Sequence, residues 1–185
     1  TLNNNIKIPL DADAGTTYGM LKMMNLTHFQ ALGEFVDNSV QSFIDNEKNF
    51  KKYNPNQSAV QVIIDSSNDF IEVKDNAGGI LPKDFNHAFK LAKPEALKSK
   101  KSLNEFGVGM KTAALWLGDR FEIETSAIGT NKKHFIAFDL DEIQKNGQQY
   151  LDNVIEEYED DNRSYTIIRI SKLNNALPPS HYREC

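Results

Sequence analysis

Residues Thr27 to Asn46 constrain the fold more than any other stretch. Leu32, Phe35, Val36, Ser39, Val40, Phe43 and Ile44 recur there at helical spacing, behind a threonine suited to an N-cap. An amphipathic helix of this length must lay its apolar stripe on another layer. At about 100° per residue, Glu34, Asn38, Gln41 and Asp45 gather on the opposite, polar face. The partner layer follows along the chain. Ala59 to Asp65 and Phe70 to Val73 are β-branched and apolar, with Ser66-Ser67-Asn68-Asp69 as a turn, and read as neighbouring antiparallel strands. Asp75-Asn76-Ala77-Gly78-Gly79 leaves the second strand as a tight loop, and Pro82 opens a short helix through Phe85, Phe89 and Leu91. Residues 92–105 are lysine-rich and aperiodic, which predicts a mobile segment whose functional form is a lid. Met110 to Leu117 reads as a helix closed by Gly118. Strands follow at Arg120 to Ser126 and His134 to Asp139, joined through Gly129-Thr130-Asn131, and at Val154 to Tyr158 and Tyr165 to Leu173. Helices first and strands late predict an α+β fold. The expected architecture is a two-layer sandwich of mixed, mostly antiparallel sheet with helices on one face.

Composition narrows what such a domain can do. At 185 residues the chain is expected to form one domain, 1–185, with enough length for a real core. A start without Met and an end just past Pro178-Pro179 point to a domain excised from a longer protein. The one cysteine, Cys185, is terminal, so internal disulfides and cysteine zinc sites are excluded and an intracellular location is expected. No apolar run approaches the roughly 18 residues that span a bilayer, so no membrane partner is expected. A net charge of −5 argues against non-specific nucleic-acid binding, leaving only local patches such as Lys93, Lys98, Lys100 and Lys101, or regions outside this domain. The acidic run at Glu156 to Asp161 reads as a solvated face, and the scattered His28, His87, His134 and His181 make no metal pattern.

Three separated stretches carry chemistry that a magnesium nucleotide requires. In Glu34-Phe35-Val36-Asp37-Asn38-Ser39, Glu34 and Asn38 are four apart and share a helical face. Alone, the pair is an ordinary wet face; together with a nucleotide, the carboxylate is placed to activate water and the amide oxygen to meet Mg²⁺. In the second stretch, Asp75 offers an acceptor to an exocyclic amine, and Ala77, Gly78 and Gly79 let a flat ring approach the backbone; the competing reading is a turn made for conformational reasons. In Asn104 to Ala113, glycines enter a helix whose exposed amides form an anion site beside Lys111. It is neither a Walker A loop nor a dinucleotide fingerprint, because the glycine spacings differ.

In order and spacing, E-x-x-D-N-S at Glu34 to Ser39, D-N-A-G-G-I at Asp75 to Ile80 and F-G-V-G-M-K-T-A at Phe106 to Ala113 resemble the GHKL ATPases of the Bergerat fold. That superfamily includes gyrase B, the ninety-kilodalton heat-shock chaperone, histidine kinases and MutL. Thr27 to Ser39, with Lys111 and its continuation to Gly118, looks most like the microrchidia (MORC) branch and related bacterial ATPases. The resemblance implies an ATP- and Mg²⁺-dependent hydrolase that closes its lid over nucleotide and dimerises. It implies Glu34 as general base, Asn38 as Mg²⁺ ligand and Asp75 as acceptor for the adenine amine. Ala77, Gly79 and Ile80 would adjoin the base, Gly79 giving it room, and Thr166 would help to hold it. Gly107, Val108, Gly109 and Met110 would wrap the phosphates, with Lys111 nearby. Tyr165 stands where the family usually has Gly, and Gln41-Ser42 where many members have Asp-Ala, which removes a carboxylate and points to slow turnover. A histidine-kinase-type phosphotransferase and a nucleotide-binding module with little turnover are the alternative readings.

Overall fold

The long helix starts where its cap chemistry demands. In the computed structural model, which describes residues 6–10, 14–85, 88, 108–148, 150–157 and 162–177, the Thr27 side chain accepts from the Gln30 amide while the Gln30 side chain accepts from Thr27 N–H. This reciprocal capping box fixes the start of α2 (His28–Asp45). The other elements in chain order are β1 (Ile6–Pro9) and α1 (Ala14–Lys22) before it, then α3 (Glu47–Tyr53), β2 (Val62–Ser66), β3 (Phe70–Asp75), α4 (Val108–Leu117), β4 (Gly118–Ser126), β5 (Lys132–Asp139), α5 (Leu140–Asn146), β6 (Tyr150–Glu157) and β7 (Tyr165–Leu173).

The strands form one seven-stranded sheet in the order β1-β6-β5-β4-β7-β3-β2. Every pairing among the described residues is antiparallel, where a mixed sheet was expected. Alternation along the strands sends one set of side chains toward α1, α2 and α4 and the other outward. The inward set lies in register across the sheet. Phe138, Phe121, Ile170 and Ile71 make one apolar row, and Ile136, Ile123, Ile168 and Val73 the next. The third row, His134, Thr125, Thr166 and Asp75, is polar. The outward face carries crossing ion pairs such as Arg169 to Glu72 and Lys133 to Glu156, as befits a face over which no described helix packs.

Several boundaries differ from the sequence reading. β2 begins at Val62, three residues late, because Gln61 spends its N–H on the Asn76 side chain instead of a ladder. Gly118 does not cap α4 but pairs with Leu173 as the first residue of β4, so helix passes directly into strand. Pro82 opens a 3-10 turn ending at Asp84; Phe89, Leu91 and the segment 92–105 lie outside the described residues. β6 starts at Tyr150, four residues before the expected strand. Unforeseen were β1, α1, α3 and α5. No helix among the described residues is long and apolar enough to cross a membrane.

Candidate functional site

Asp75 ends β3 at the point where the inward-facing rows turn from apolar to polar. Its Oδ1 accepts from Ala77 N–H at 2.9 Å and Thr166 N–H at 3.2 Å, and its Oδ2 accepts from the Ser39 hydroxyl of α2 at 2.7 Å. Burial raises the Asp75 pKa above the ordinary aspartate value, and these three donors oppose the rise. The carboxylate is thus held in place with Oδ2 capacity to spare.

The loop after Asp75 is pinned to β4 and the turn beyond it. Ile80 N–H donates to Thr125 Oγ1 at 2.9 Å, and Ile128 N–H donates to the Gly78 carbonyl at 3.0 Å. Gly79 has φ +69°, and a Cβ there would fall on the backbone of Ser126 and Ala127. Only glycine meets both conditions. The requirement comes from the loop's own packing, in addition to any room it gives a ligand.

On the other wall, α2 runs across the sheet toward the start of α4. Glu34 projects onto α4 so closely that a Cβ on Gly109 would fall on Glu34 Oε2. Burial, and after it the charge of Asp37, raises the Glu34 pKa. One turn on, Asn38 is exposed to the cavity, and no described residue takes up its amide. The first amides of α4, at Val108, Gly109 and Met110, have no partners within the helix and carry the positive end of its dipole.

Between these walls lies a cavity of about 540 Å³. Val73, Ile168, Ile80 and Met110 give it apolar sides, Asp75 and Thr166 a polar floor, and Asn38, Gln41 and Asp45 a polar rim. The family model described as histidine kinase-, DNA gyrase B-, and HSP90-like ATPase matches residues 26–169. The chain belongs to this family. It is an ATP-binding domain of the ATPase or kinase type. No curated protein gives a significant match.

The fold of this ATPase family brings together most of the residues singled out in the sequence. Asn38, Asp75, Gly79, Ile80, Met110 and Thr166 line the cavity; Ala77 acts through its backbone N–H on Asp75; Glu34 and Gly109 face each other at the start of α4, next to Met110 but not in the cavity lining. Val108 is the first residue of α4, and Gly107 lies outside the described residues. Lys111 is only 1% exposed and does not line the cavity, although the sequence reading set it beside the phosphates. Tyr165, in the usual glycine position, turns to the outer face and donates to Glu124 at 2.7 Å, so its bulk does not enter the site. The Gln41 amide holds Asp45 at 2.7 Å, so this rim keeps a carboxylate one turn beyond the substituted position.

Ser39, Thr125 and the rim residue Asp45 were not assigned in the sequence reading. Ser39 carried a signal, since it falls on the buried stripe of α2 where an alkyl group belongs. Thr125 carried none, because only strand register brings it beside Thr166.

Proposed function

We propose that this domain binds ATP in the cavity between α2 and the sheet and hydrolyses it, with Mg²⁺, to ADP and phosphate. The observation that carries this reading is the buried Asp75 carboxylate at the floor of an apolar-walled cavity, held by three donors with acceptor capacity left over. An adenine amine fits that demand, with the ring between Val73, Ile168, Ile80 and Met110. The phosphates extend toward the α4 N-terminus, where the amides of Val108, Gly109 and Met110 face negative charge. Glu34, seated on Gly109, takes a proton from water as its oxygen bonds the γ-phosphorus and the bond to the β-phosphate oxygen breaks.

Among the described residues no three His, Cys, Asp or Glu side chains form a metal cage. Mg²⁺ needs none, since it keeps waters and phosphate oxygens and asks one or two ligands of the protein. The unengaged Asn38 amide on the cavity wall fits that part, and bound Mg²⁺ would neutralise phosphate charge. Hydrolysis is favoured over phosphotransfer by a carboxylate, Glu34, lying against Gly109 at the start of α4, the helix end proposed to hold the phosphates.

Thermal unfolding of the wild type with Mg²⁺ and a non-hydrolysable ATP analogue tests the binding site. At 100 times its dissociation constant the analogue adds about 2.7 kcal/mol, roughly 5 to 11 °C, and Asp75→Asn abolishes the shift. An equal shift in the variant would place the base elsewhere.

Two further parts of the reading rest on family likeness: closure of residues 92–105 over nucleotide, and nucleotide-driven dimerisation. Kinship to the microrchidia-like branch rests on Thr27 to Ser39 and Phe106 to Gly118. Light scattering with and without the analogue tests dimerisation; an unchanged monomer removes it for this domain.

A further inference from the structure

Thr125 is fully buried at the centre of the polar row, with one proton and two oxygens placed to receive it. Its Oγ1 lies 3.0 Å from the Tyr165 carbonyl oxygen and 3.3 Å from Thr166 Oγ1, and it accepts Ile80 N–H at 2.9 Å. A carbonyl oxygen only accepts, so the shorter contact takes the Thr125 proton. That leaves Thr166 as the donor in the contact between the two hydroxyls, and in that arrangement what it offers the cavity it lines is lone pairs. Beside it, Thr166 N–H and Ala77 N–H are both spent on Asp75 Oδ1. The floor therefore presents acceptors, the Asp75 carboxylate and the Thr166 oxygen, and no free proton from this group.

We propose that Thr125 is a positioning residue for base recognition. By holding the Thr166 hydroxyl as an acceptor and the glycine loop through Ile80, it makes the cavity floor select a purine with an exocyclic 6-amino group over one with a 6-oxo group. A 6-amine brings its N–H groups to these acceptors, whereas a 6-oxo purine sets its oxygen against a carboxylate and has only its N1–H to offer in return. The proposal rests on the nucleotide reading above and deepens it.

The test is equilibrium binding of non-hydrolysable ATP and inosine triphosphate analogues to the 185-residue chain and its variants. Thr125→Val keeps the shape but frees the Thr166 proton to turn into the cavity, so the preference for ATP over the inosine analogue falls about tenfold. Thr125→Ser keeps the hydroxyl and restores the preference. A merely structural role would weaken both analogues in the same proportion, and an unchanged ratio in Thr125→Val overturns the proposal. Should that variant not fold, Thr166→Val removes the acceptor itself and must lower the same ratio; an unchanged ratio there is equally fatal. A wild type that binds neither analogue removes the nucleotide reading itself. A wild type that binds ATP, with variants of unaltered ratio, removes only the role of Thr125.

Discussion

Glu34 and Asp37 are three residues apart on α2, close enough for the charge of one to bear on the other. Burial first and Asp37 second hold the Glu34 pKa above the ordinary glutamate value, nearer to where a general base works best. Glu34→Gln is expected to leave ATP binding intact and to lower turnover about 10² to 10⁴-fold, measured by phosphate release. Because a general base at Glu34 would act ionised, activity is expected to fall as pH drops through that raised pKa. Asp37→Asn removes one cause of the rise, so the acid limb of the pH–rate profile moves to lower pH; a limb that stays put would exclude Glu34 as its origin. Asp75 follows the same logic with a second consequence. Its folded pKa exceeds the unfolded one, so the empty domain gains stability as pH falls through the folded value, while the proposed contact with an adenine amine requires the ionised form. ATP affinity therefore fails on acidification before an ordinary aspartate would protonate, and Asp75→Asn does not lower the thermal midpoint of the empty domain at pH 7. A fall of several degrees in that variant would mean the carboxylate stabilises the fold.

At the scale of elements, the site depends on how closely α4 approaches α2. Gly109→Ala brings in a residue that favours the helix by about 1 kcal/mol, yet its Cβ displaces the Glu34 carboxylate. Turnover is expected to fall at least about tenfold with only a few degrees' change in thermal midpoint, since the clash falls on the tip of a flexible side chain. Full activity in this variant would detach Glu34 from its proposed position. The same scale separates legible from illegible structure. α2 was readable because its stripe, its cap and its length agree. α1 was not: Ala14 to Lys22 holds two glycines and two threonines and little periodicity, and it is held by tertiary packing, with Tyr18 edge-on to Phe138 at 4.5 Å. α3 and α5 have seven residues each, too few for a period to show, and α5 is set by the Asp139 side chain accepting from Asp141 and Glu142 N–H.

For the molecule as a whole, stability and site share one sheet. Ile123 is fully buried between Ile136 and Ile168 in the apolar row next to the polar one. Ile123→Ala is expected to cost about 2 to 5 kcal/mol and to lower the thermal midpoint by roughly 4 to 20 °C, with the ATP analogue recovering part of the loss. A loss under 1 kcal/mol would show that the row repacks around the gap.

The sequence by itself determined the long helix, most of the central strands, the family and the places of Asp75 and Gly79 in the cavity, because each rests on local periodicity or on a short motif. Only the tertiary structure decided that Thr125, Thr166 and Asp75 share a row, that Glu34 rests on Gly109, that Lys111 is buried and that Tyr165 turns away. These facts depend on strand register and on the approach of two helices distant in sequence. A one-residue slip in register would turn Thr166 outward and Tyr165 inward; the alternation of Ile168 and Ile170 with Arg169 and Ser171 sets which of them faces inward, but only the pairing with β3 and β4 sets Thr166 beside Asp75 and Thr125.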